Sequence, residues 1–116
     1  MLTFKAKPKQ IMQMLANVAN AARPVRLGWL NYDEKHRYEP EEFEKNVCDD
    51  HGEPKDHCGL DYYGGRQVKL FLSYNRRTGE YSMPDSFNSS YQSFVWKYAN
   101  PEMLLESVGI TEYRYD

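Results

Sequence analysis

Val68-Lys69-Leu70-Phe71-Leu72-Ser73-Tyr74, followed by Asn75-Arg76-Arg77-Thr78-Gly79 and then Tyr81 and Met83, carries the clearest secondary-structure signal in the chain. Val68, Leu70, Leu72 and Tyr74 recur at every second position, with Lys69, Phe71 and Ser73 on the other face, which is the period of a strand. The Asn75 to Gly79 segment has turn composition, so the two runs predict a β-hairpin.

Working outward, Leu2, Phe4 and Ala6 alternate with polar neighbours and predict a short first strand. Pro8 is suited to open a helix, in which Ile11, Leu15, Val18, Ala19 and Ala22 recur at spacings of three and four. That helix is expected to end near Arg23, because the residue before Pro24 avoids helical angles. Val25, Leu27 and Trp29 predict a second strand.

Pro40 ahead of Glu41 and Glu42 places carboxylates at the positive end of a short helix, with Phe43 and Val47 turned inward. After it comes an expected irregular loop of about 18 residues, long for a compact domain and rich in glycine. Ser89 with Gln92 forms a capping box opening a helix with Tyr91, Phe94, Val95 and Tyr98 on one side. Asn100-Pro101 opens another, whose Met103, Leu104 and Val108 are expected to face the core before Gly109 ends it. Ile110, Tyr113 and Tyr115 predict a closing strand. Together these elements predict an α+β fold, a mixed or antiparallel sheet of about four to five strands with three to four helices, in a single domain spanning 1–116.

The 116 residues, 41% hydrophobic and 15% aromatic, suffice for one core and exclude a disordered chain. Met1 to Lys5 lacks the apolar run of a secretory signal and no stretch is apolar enough to span a bilayer, so a cytoplasmic protein without membrane contact is expected. Two cysteines do not imply an oxidised scaffold, although export would allow them to pair.

Charge is unevenly distributed. Residues 33–61 hold 11 of the 17 acidic residues against four basic ones, a formal −7, and the remainder sums to +5. Opposite charges are usually interspersed along a domain, so this separation favours a non-enzymatic protein-binding role. The expected surface comprises Asp33, Glu34, Tyr38, Glu41, Glu42, Glu44, Asp49, Asp50, Tyr62 and Tyr63, with Trp29 and Tyr32 as further aromatic anchors. Its partner would be a larger protein with a basic surface, and the role that of an inhibitor or adaptor, of the kind carried by phages and plasmids or used as immunity proteins.

The alternative is a nucleic-acid-binding module using Arg66, Lys69, Arg76 and Arg77, interleaved with Tyr62, Tyr63, Tyr74 and Tyr81, where rings stack on bases and cations meet phosphates. Cys48, His51, His57 and Cys58 have the composition of a structural zinc site, but adjacent His57 and Cys58 tend to point apart. No other cofactor is indicated. A cysteine nucleophile beside either histidine needs a dry, shaped pocket, whereas a loop rich in charge and glycine is expected to be wet, so catalysis is not expected.

Overall fold

The computed structural model describes residues 1–21, 37–63, 67–84 and 100–116. In chain order these form β1 (Leu2–Lys5), α1 (Pro8–Ala21), a 3-10 turn (Pro40–Phe43) running directly into α2 (Glu44–Val47), β2 (His57–Tyr63), β3 (Gln67–Asn75), β4 (Glu80–Met83), α3 (Pro101–Glu106) and β5 (Tyr113–Tyr115). The five strands make one antiparallel sheet ordered β2-β3-β4-β1-β5. The architecture is α+β, as the alternating and helical periods predict. The expected strand at Val25 to Trp29 and the expected helix opened by Ser89 lie outside the described residues.

Alternation sorts the sheet into two faces. Leu2 pairs with Met83, Phe4 with Tyr81, Cys58 with Leu72 and Leu60 with Leu70, and all eight side chains are buried. Ile11, Met14, Leu15 and Val18 of α1 and Leu104 and Leu105 of α3 join the same core cluster. Each fully buried side chain of this size contributes roughly 1.5–3 kcal/mol. On the other face, Thr3, Ser73 and Ser82 stand in register across three strands, with the hydroxyls of Thr3 and Ser82 3.3 Å apart. Phe71, also on that face, is 53% exposed.

Helix α1 is buried on most of its circumference, and its polar stripe is made of amides at helical spacing. Gln10 accepts the Lys7 N–H at 2.8 Å and donates to the Val108 carbonyl at 3.1 Å. Gln13 donates to Asn17, which donates to Ser107 at 3.2 Å. Asn20 takes the Tyr38 N–H at 2.8 Å on its oxygen and gives its amide proton to the Tyr38 carbonyl at 3.0 Å. Neutral amides bond backbone without the desolvation burden of a charge, which fits a helix packed on several sides.

Two sequence expectations are corrected. The segment expected to be one long irregular loop contains β2, and its front part is closed by the Cys48–Pro54 bridge. Cys58 and Leu60 alternate inward as a strand requires, and Gly59 has φ +153° with the Leu70 backbone lying against it. The glycine that reads as loop composition therefore marks a close approach of two strands. In α3, Met103 is 41% exposed and Leu105 is buried in its place. Pro101, Leu104, Leu105 and Val108 form the inward stripe at helical spacing, which leaves Met103 on the outer side. The Asn100 cap is as expected, its side chain accepting the Met103 N–H at 3.0 Å.

Candidate functional site

The acidic segment is held on a framework of backbone hydrogen bonds. Pro40 opens the 3-10 turn, and the Glu42 carboxylate reaches back to accept the Glu39 N–H at 2.7 Å. Phe43 and Val47 are buried, and the Tyr38 ring lies 6.1 Å from that of Phe43. With those side chains facing inward, Glu39, Glu41 and Glu44 are exposed along the outer side.

Beyond α2 the chain makes a tight loop. The Lys55 N–H donates to the Val47 carbonyl at 2.9 Å and the Asp49 N–H to the Glu53 carbonyl at 2.8 Å. The Asp49 carboxylate accepts the N–H groups of His51 and Glu53, both at 2.9 Å. The Glu53 N–H first, and the His51 N–H after it, hold the Asp49 carboxyl below the ordinary aspartate range. Asp49 is thus a loop-organising residue, and Asp50 and Glu53 are the carboxylates exposed at the tip. Asn46 fixes the loop to the sheet: its side-chain oxygen accepts the Gly59 N–H at 3.0 Å and its amide donates to the Gly59 carbonyl at 3.0 Å.

The basic turn folds onto this loop. Arg76 Nε lies 2.7 Å from the Asp56 carboxylate, and its guanidinium also donates to the Pro54 carbonyl at 3.3 Å. The hydrogen bond to Asp56, followed by the charge of that group, raises the Arg76 pKa. The acidic segment and the basic turn therefore meet at this point, because linear charge blocks reveal nothing about which loops come together. Of the cations proposed for nucleic acid, Arg76 is engaged, Arg77 is exposed, Arg66 lies outside the described residues, and only the backbone of Lys69 is described. Tyr81, expected among the stacking rings, is completely buried, 4.8 Å from the Tyr74 ring centre. Asp33 and Glu34 lie outside the described residues, as do Trp29 and Tyr32. Tyr62 and Tyr63 fall on β2 without described side chains.

Cys48 and Cys58 are free and buried, whereas His51 and His57 are exposed. On a strand, successive side chains project to opposite faces, which separates His57 from Cys58. Among the described residues no three His, Cys, Asp or Glu side chains converge as a metal site requires. Burial pushes the Cys58 thiol up to about 11, with Cys48 adding to the effect, and burial followed by Glu44 and Asp49 also raises Cys48. Such thiols are weak nucleophiles at neutral pH.

The Tyr81 hydroxyl is buried and has no hydrogen-bond partner among the described residues. A buried unpaired hydroxyl costs about 1–3 kcal/mol. Tyr81→Phe is therefore expected to stabilise the protein by roughly 1 kcal/mol, seen as a higher Tm. A lower Tm would show that the hydroxyl makes a bond worth keeping.

A second cluster, with no counterpart among the sequence candidates, lies at the far edge of the sheet. Arg114 donates to both oxygens of Glu80, one at 3.0 Å, and to Asp116 at 3.1 Å, while Thr3 donates to Asp116 at 2.6 Å. Beside it runs an open groove of about 490 Å³, lined by Thr3, Lys5, Gln10, Glu80, Thr111 and Arg114. No local motif announces this cluster, since its members come from three separate strands and the chain end. Comparison with protein-family models, with curated proteins and with solved structures gave no match. Among the described residues no helix is long and apolar enough to cross a membrane.

Proposed function

We propose that the chain is a non-catalytic protein-binding domain, an inhibitor or adaptor acting inside the cell, that applies an acidic ridge to a basic surface of a larger partner. The supporting observation is the inward anchoring of Phe43 and Val47, which presents Glu39, Glu41 and Glu44 outward on a fixed scaffold, with Asp50 and Glu53 on the adjoining loop. Preset charges steer association and select against partners of like sign.

Reversing Glu41, Glu44 and Glu53 to lysine is the direct test, because the Glu39 and Glu42 backbone contacts and the Asp49 turn are left in place. Affinity for the partner captured by the native protein is expected to fall at least about tenfold, with an unchanged far-ultraviolet spectrum. The reading also requires that native binding weaken as salt rises. Undiminished capture by the triple variant would overturn it.

The nucleic-acid reading retains one specific support: Phe71 is exposed on the strand leading into the turn that carries Arg77. It requires a mobility shift with single strands at low salt that Phe71→Ser removes. Without such a shift, that reading fails.

A further inference from the structure

We propose that Cys48 and Cys58 are a redox pair that closes into an intramolecular disulfide, tying the end of α2 to strand β2. The inference is independent of the binding role. Three observations place the two residues for it. The paired hydrogen bonds between Asn46 and the Gly59 backbone hold the segment just before Cys48 against the residue just after Cys58. The Cys48–Pro54 bridge turns the intervening chain back toward β2. Both side chains point into the same core cluster, at 7% and 8% exposure. Burial first, and the Cys58 and Cys48 thiols after it, raise the Tyr81 pKa, and Cys48 adds to the effect of burial on Cys58 itself.

Closing the bond would enclose residues 49–57, including the exposed tip at Asp50 and Glu53. The oxidant is a low-molecular-weight disulfide such as oxidised glutathione. One cysteine thiolate attacks a glutathione sulfur, the glutathione S–S bond breaks, and one glutathione thiolate leaves. The second cysteine thiolate then attacks the protein-bound sulfur of this mixed disulfide and expels the other glutathione. Overall, two protein thiols lose two protons and two electrons, and one glutathione disulfide becomes two thiols. Because both sulfurs are buried, reaction proceeds through opening of the 49–56 loop, and the rate is expected to be slow compared with exposed thiols.

The full chain, purified reduced, is incubated in glutathione buffers of graded redox ratio. Free thiols are then alkylated and the protein is examined by intact mass and non-reducing peptide mapping. The expected product is monomeric, lighter by two hydrogens, with the Cys48 and Cys58 peptides joined and the Tm raised by roughly 10 °C. Cys48→Ser and Cys58→Ser should each stop at a single glutathione adduct. Should either variant not fold, the native mapping decides alone. The proposal is overturned if both thiols remain alkylatable in a buffer that oxidises the same chain in urea. It is equally overturned if the products are disulfides between chains or persistent double adducts.

Discussion

Gly59→Ala is expected to destabilise the protein by roughly 3 kcal/mol or more, among the largest effects available to a one-carbon change. A Cβ built on Gly59 falls 1.9 Å from the Leu70 carbonyl oxygen and 3.0 Å from both Leu70 C and Phe71 Cα. These are backbone atoms of the neighbouring strand and cannot swing aside, so β2 and β3 must separate locally. The residue also sits at φ +153°, which side chains rarely adopt. Separation would strain the Asn46 bonds to the same residue, so the loss should extend to α2. Gly52 is the matched control: it has positive φ but nothing within 4 Å, and alanine there should cost only about 1 kcal/mol. Thermal melts and amide exchange on β2 would check both, and a native-like melt for Gly59→Ala would contradict the close approach.

Phe4→Ala should cost about 3–5 kcal/mol, while Phe71→Ser should leave stability within about 0.5 kcal/mol. Both rings belong to strands, but their environments differ. Phe4 is 2% exposed, stacks 6.2 Å from Tyr81 and sits among Leu2, Leu15 and Met83 in the core cluster. Removing it leaves a cavity that rigid neighbours on three elements cannot fill. Phe71 stands on the opposite face and is more than half exposed, so little buried area is lost with it. Chemical denaturation of the two variants would rank them, and equal costs would mean that the two faces have been assigned wrongly.

The hairpin from Val68 to Met83 was legible because alternation and turn chemistry agree within one continuous segment. The same holds for α1, opened by Pro8 and patterned at helical spacing, and for the Asn100-Pro101 start of α3. In β2 the apolar signal was too thin. Cys58 and Leu60 are flanked by His57, Gly59 and Asp61, and the reason for a glycine there lies in the backbone of Leu70 and Phe71 on the next strand. The candidate site was legible only in part. Inward Phe43 and Val47 with outward carboxylates followed from helical spacing. The structural duty of Asp49, the capture of Asp56 by Arg76 and the bracketing amides of Asn20 and Asn46 depend on long-range contacts that no local pattern encodes.

The amide of Asn46 has a consequence for how this protein behaves at high concentration. A boundary strand normally offers its outward N–H and C=O groups to any passing extended chain, which is how ordered aggregates are seeded. Among the described residues β2 has no strand on its outer side, and at Gly59 both groups are already taken by a side chain that mimics one, so fibril-like growth from β2 is blocked at that point by a residue of its own chain.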